Sequence, residues 1–106
     1  MAAATAHANL GNLHLFQKKF EQGAGELAEA LGYFEKNHYR IETIRANLLL
    51  AKAKLALCQL PAANQLYQTQ IQQAQTAGDQ SLAERIAQER INVQQELKKA
   101  GSKCLQ

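Results

Sequence analysis

"LGNLHLFQKKFEQGAGELAEAL", residues 10–31, has helical spacing on both sides of a short polar break, "QKK". It contains three glycines but no proline and no Asn-Gly pair. A glycine inside a helix costs up to about 1 kcal/mol relative to alanine, which suggests a packing reason. We predict two antiparallel helices joined by a tight turn, with Gly11, Gly23 and Gly25 allowing close packing. An apolar stripe is expected to fill the space between the helices: Leu10, Leu13, Phe20, Leu27 and Leu31.

The rest of the chain shows the same helical periodicity, and strand signals are nearly absent. Pro61 suits the first turn of a helix, while Gly78 suits a helix end and Asp79 the cap of the next helix. Residues 100–106 are expected to form a frayed tail. Five helices are predicted, over about Ala3–Gln17, Phe20–Lys36, Ile41–Cys58, Pro61–Thr76 and Ser81–Lys99.

The chain overlays on itself when it is displaced by about forty residues. Leu10 and Gly11 then fall on Leu50 and Ala51, and Gly23 falls on Ala63. The unit is a helix, a tight turn and a second helix, present twice and followed by a closing helix. We predict a single domain over residues 1–106, with repeats over about 4–37 and 44–77 and a closing helix over about 81–99.

A Leu-Gly pair followed by a small-x-x-x-large pattern in the second helix resembles the tetratricopeptide repeat family. The period of about forty is similar to that of extended-repeat relatives, such as those in kinesin light chains and bacterial peptide-sensing regulators. The resemblance implies an all-α fold, with antiparallel helical hairpins stacked as a right-handed solenoid. The matching positions are Leu10, Gly11, His14, Gly23, Leu27 and Ala30 in the first unit, and Leu50, Ala51, Lys54, Ala63 and Tyr67 in the second.

Proteins of this family are usually scaffolds, in which the first helix of each pair lines a concave groove that binds a peptide or a partner helix. The resemblance therefore implies a non-catalytic adaptor with a protein or peptide partner. Apolar groove residues would supply affinity, and polar ones would set direction and register. The expected partner-binding residues are Asn9, Asn12, Phe16, Arg45, Leu48, Lys52, Leu55 and Arg90.

A structural role remains as an alternative. The third helix is apolar on more than one side, so it must be central or face a partner. The chain could self-associate through this helix, or through the glutamine-rich fourth helix, "NQLYQTQIQQAQ". It could also be a segment of a longer repeat protein, because two and a half repeats bury little surface. A helical accessory domain of an enzyme is a further possibility.

Several functions are not expected from the composition. The net charge is only +3 and charges of both signs alternate, so no nucleic-acid partner is expected. No apolar run reaches the length of about 18 residues that a membrane helix needs. The "GAG" at residues 23–25 lacks the Lys-Ser/Thr that follows in a phosphate-binding loop, so no cofactor is expected.

The histidines and cysteines do not indicate a reactive centre. His7 and His14 are seven residues apart rather than four, so no metal site is expected. Cys58 is expected to be a buried thiol that behaves as a small hydrophobic residue, and no catalytic role is assigned. Two cysteines do not make a disulfide framework, so by elimination the expected compartment of the protein is a reducing cytoplasm.

Overall fold

The structure, a computed structural model, describes residues 2–101 and residue 104. Five helices account for nearly all of this part, and no strand occurs in it. Each helix begins and ends within two residues of its predicted bounds, so the all-α prediction is confirmed. The helices are α1 (Ala2–Phe16), α2 (Phe20–Lys36), α3 (Arg40–Ala56), α4 (Leu60–Thr76) and α5 (Gln80–Lys99).

Three-residue turns of one conformation join the successive helices. The middle residue of each turn is left-handed, with φ of 60° or 61° at Lys18, His38 and Cys58 and 78° at Gly78. The next N–H donates to the carbonyl five residues earlier, as in the 2.8 Å bond from Lys19 N to the His14 oxygen. This is the bond that closes a Schellman helix end.

The equal turns give the chain a shorter period than the sequence overlay indicates. α2, α3, α4 and α5 begin at residues 20, 40, 60 and 80. The forty-residue repeat is therefore built from two helix-turn segments of equal length. In the last turn the predicted chemistry is confirmed, because Gly78 takes the left-handed position and the Asp79 carboxylate accepts the Leu82 N–H at 3.0 Å.

α3 lies at the centre of the molecule. Each helix packs against its neighbours in sequence, and α3 also contacts α1 and α5. Among the described residues, α2 and α4 make no comparable contact. The odd-numbered helices therefore approach one another on one side. The apolar character of α3 on several sides agrees with this central position.

The core is divided into three clusters between adjacent helices. The largest joins α3, α4 and α5 around Leu55, Tyr67 and Ile86, which are all fully buried. A second cluster joins α1, α2 and α3 through Leu15, Leu27, Leu50 and Ala53. A third contains Ala4, Ala30, Phe34 and Ala46, at the other end of α1.

The close approach of α1 and α2 at two glycines is confirmed. A Cβ atom on Gly23 would lie 2.8 Å from Leu15 Cδ2 and 2.9 Å from the Gly11 carbonyl oxygen. A Cβ atom on Gly11 would lie 2.8 Å from Leu27 Cγ. The prediction for Gly25 is wrong, because no atom lies within 4 Å of its would-be Cβ.

The predicted stripe is also wrong in two of its members. Leu10 and Leu13 are 40% and 50% exposed, while Leu15 is buried. Because a helix turns once in 3.6 residues, the face that carries Gly11 continues at Leu15. Leu10 and Leu13 are three residues apart and lie together on a different, exposed face of α1.

Alanine at Gly23 is expected to lower the free energy of unfolding by about 2 kcal/mol, because the added methyl group meets the Gly11 backbone. For a domain of this size, that corresponds to a fall of about 10 °C in Tm. Gly25→Ala, two residues away on the same helix, should instead raise the free energy of unfolding by about 0.5–1 kcal/mol. Urea unfolding followed by circular dichroism measures both, and equal effects of the two variants would contradict the predicted contact.

The prediction that Cys58 is a buried thiol is wrong. Cys58 is exposed in the turn after α3 and forms a disulfide with Cys104, with the two Cα atoms 5.7 Å apart. The ends of α3 and α5 lie on the same side of the molecule, which brings the segment after α5 to this turn. Of the predicted tail, residues 102, 103, 105 and 106 lie outside the described residues.

Candidate partner-binding groove

A groove lies where the last turns of α1, α3 and α5 meet. It encloses about 440 Å³, and Phe16, which borders it, is 78% exposed. Lys18, Lys52 and Glu96 supply its charged groups. The volume falls within the usual range for a pocket that accommodates a ligand or a large side chain. Apolar side chains form most of the wall: Leu15, Phe16, Phe20, Ala56 and Leu97.

The positively charged side chains of the groove are available to an acidic partner. The Lys52 ammonium lies 3.5 Å from a Glu96 carboxylate oxygen, and the Glu96 side chain is 63% exposed. Exposed ion pairs of this kind contribute less than about 1 kcal/mol, so an incoming carboxylate can compete with Glu96. Lys18 occupies the left-handed position of the first turn and adds a second positive charge.

A second depression lies between the first halves of α3 and α5 and encloses about 500 Å³. Arg45 and Leu48 line its α3 side, and Arg85 and Glu89 line its α5 side. The groove and this depression therefore follow the same pair of helices. Four predicted partner-binding residues lie along them: Phe16 and Lys52 in the groove, and Arg45 and Leu48 in the depression.

The other four predicted residues do not line either cavity. Leu55 is fully buried, because it continues the helix face of Ala51 that packs into the core. Its prediction as a partner-binding residue is wrong. Arg90 reaches back to α4, where its Nη2 donates to Asn64 Oδ1 at 2.6 Å. Asn9 is exposed and Asn12 is half-buried on α1.

A cluster that the sequence did not predict lies between α1 and α2, near the beginning of α1. His7 Nδ1 is 2.5 Å from Glu26 Oε2, and His7 Nε2 is 3.5 Å from Glu29 Oε2. The hydrogen bond with Glu26 raises the pKa of His7 and is the largest influence on it. Desolvation lowers this pKa by less, and the negative charges of Glu26 and Glu29 raise it further. The spacing of residues along one helix cannot reveal a cluster that two helices share. The contact of Gly11 with Gly23 aligns α1 with α2 so that His7 lies beside Glu26.

Comparisons with known proteins supply no analogy for these sites. No family model, curated protein or solved structure matches the chain. Within residues 2–101 and 104, none of the helices combines the length and apolar character that crossing a bilayer requires. The function is therefore inferred from the geometry of the groove.

Proposed function

We propose that this chain is a non-catalytic protein-interaction module of tetratricopeptide type, which binds a partner segment in the groove between α1, α3 and α5. The observation that carries the proposal is Phe16, an aromatic side chain that is 78% exposed beside an apolar cavity. Apolar surface of this kind, with charged residues around it, is typical of binding sites. The approach of the odd-numbered helices supports the concave face expected for such a module.

The groove selects a particular partner chemistry. Its apolar wall fits one large apolar side chain, such as that of leucine or phenylalanine, on a peptide or a helix. Lys18 and Lys52 favour a carboxylate next to that side chain. The partner of the proposed module is thus a short segment that carries an apolar anchor and an acidic residue.

A phage-displayed peptide library tests this proposal without a known partner. We expect the wild-type chain to enrich peptides with an apolar anchor next to an acidic residue. Phe16→Ser should weaken binding of the enriched peptides at least tenfold, since a fully desolvated aromatic anchor contributes about 2 kcal/mol or more. Fluorescence polarisation with labelled peptides gives the affinities.

Leu13→Ser is the matched control, because Leu13 is an exposed leucine of the same helix that does not line the groove. It should leave the affinity unchanged. The double change of Lys18→Glu with Lys52→Glu reverses both positive charges of the groove, so it should abolish binding and leave the oligomeric state intact. Equal enrichment by wild type and Phe16→Ser would contradict the proposed groove.

Self-association is the second candidate, and the exposed leucines of α1 favour it. Leu10 and Leu13 are 40% and 50% exposed, whereas every apolar side chain of α3 except that of Ile41 is buried or half-buried. Light scattering over a dilution series separates the two candidates. A dimer that Leu13→Ser dissociates supports self-association, and a monomer at every concentration supports the interaction module.

The disulfide gives an indication of the cellular compartment in which the proposed module resides. The cytoplasm follows from the sequence only by elimination. A disulfide such as Cys58–Cys104 persists mainly in oxidising compartments. We therefore favour an oxidising compartment over the cytoplasm, and alkylation of the protein isolated from its source, followed by mass spectrometry, shows the state of the two cysteines.

A further inference from the structure

The cluster of His7, Glu26 and Glu29 lies away from the groove and has no part in the proposed binding of a partner. It joins side chains from two helices, since His7 belongs to α1 and both glutamates belong to α2. Glu26 and Glu29 are one turn apart and therefore share a helix face. One donor atom from each of the three residues lies within 4.8 Å of the other two.

Glu26 determines which nitrogen of the His7 imidazole ring carries the proton. Its carboxylate oxygen lies 2.5 Å from His7 Nδ1, so a proton on Nδ1 is donated to it. In the neutral ring the lone pair is then on Nε2. A histidine that binds a metal generally donates its other N–H to a carboxylate in this way, which fixes the tautomer and makes the ligand nitrogen more basic.

Glu29 faces the remaining nitrogen at a distance that suits a shared ion. Its carboxylate oxygen lies 3.5 Å from His7 Nε2. Two donors that each lie about 2.1 Å from a tetrahedral zinc ion are separated by about 3.4 Å. The observed separation therefore leaves room for an ion between them with little movement of either side chain.

We propose that His7 Nε2 and the Glu29 carboxylate bind a divalent transition-metal ion of the zinc class, with Glu26 as the positioning carboxylate. Water completes the coordination, since the side chains of His7 and Glu29 are 42% and 69% exposed. An imidazole nitrogen with a carboxylate oxygen suits zinc, cobalt, nickel or copper better than magnesium or calcium.

The backbone contact between the two helices prepares this site. Gly11 and Gly23 hold α1 against α2 about one turn away from the cluster. The separation of the donors is therefore set by the fold before the ion binds. The bound ion links α1 to α2 and adds stability at the first helix, because it binds the folded chain in preference to the unfolded chain.

Calorimetric titration of the oxidised chain with ZnCl₂ tests the proposal at a pH of about 8, above the ordinary pKa of histidine. We expect saturable binding of one ion and a rise in Tm. His7→Gln and Glu29→Gln should remove both effects. Glu26→Gln should weaken the affinity by about 10- to 100-fold, as losses of such outer partners do.

Glu35→Gln, an exposed glutamate of α2 outside the cluster, is the matched control and should bind zinc as wild type does. Nitrogen-15 chemical shifts of His7 report directly which ring nitrogen carries the proton. Proton on Nδ1 in wild type, and a mixture of tautomers in Glu26→Gln, support the positioning role. The absence of saturable binding to wild type, or binding that persists in His7→Gln and Glu29→Gln, would overturn the proposed site.

Discussion

Replacement of Cys58 and Cys104 together by serine is expected to lower the free energy of unfolding by up to about 4 kcal/mol, the value that chain entropy gives for such a loop. The disulfide joins residues 46 positions apart, and so restricts the unfolded chain over α4 and α5. Domains of about one hundred residues are commonly stable by only about 5–15 kcal/mol, so the loss is a large part of the total.

Urea unfolding of the oxidised chain, the reduced chain and the double variant measures this effect. Reduced wild type and the double variant should unfold at the same urea concentration. His38→Ser is the matched control, because His38 has the same left-handed conformation in the preceding turn and belongs to no disulfide. Identical unfolding of the oxidised and reduced chains would contradict the stabilising role of the disulfide.

Tyr67→Ala is expected to lower the free energy of unfolding by about 4 kcal/mol, because it removes a fully buried ring from the largest core cluster. Tyr67→Phe should act in the opposite direction and raise it by about 1 kcal/mol. The reason is the hydroxyl group, which is buried without a hydrogen-bond partner in the described part of the chain.

The burial of Tyr67 also changes the pKa of its hydroxyl group. Burial raises the pKa of Tyr67 to about 12, and the Glu89 carboxylate adds to this while Arg90 opposes it. Thermal and urea unfolding of the two variants, compared with wild type, give their free energies. A marked loss of stability in Tyr67→Phe would contradict the unpaired hydroxyl and indicate that this group has a partner.

The sequence predicts the helices and one contact well, for definite reasons. The helical periodicity is a local signal, and so are the residues at helix ends, Pro61, Gly78 and Asp79. The helices that these signals predict do not depend on the rest of the fold. The approach of Gly11 to Gly23 is predictable because glycines inside two successive helices weaken both helices, and close packing of the two backbones offsets this cost. Gly25 carries the same signal on the opposite face of α2, and composition alone cannot tell the two faces apart.

Features that depend on tertiary register are not predictable in this way. Leu55 resembles any apolar residue of α3 until the position of α4 is known, and the same holds for Leu10 and Leu13 on α1. The cluster around His7 requires the alignment of α1 with α2. The Cys58–Cys104 disulfide requires that α3 and α5 end side by side, which no spacing along the chain reveals.

The equal three-residue turns shape the route by which the chain folds. They keep each helix beside its neighbour, and all helix contacts in the described chain join adjacent or next-but-one helices. Closing such short loops loses little entropy, so topologies of this kind fold fast and can nucleate at any hairpin. The positions of Cys58 and Cys104 in the folded chain depend on the packing of α3, α4 and α5. Packing of these three helices therefore favours oxidation of the pair, and the disulfide in turn holds the second half of the molecule together.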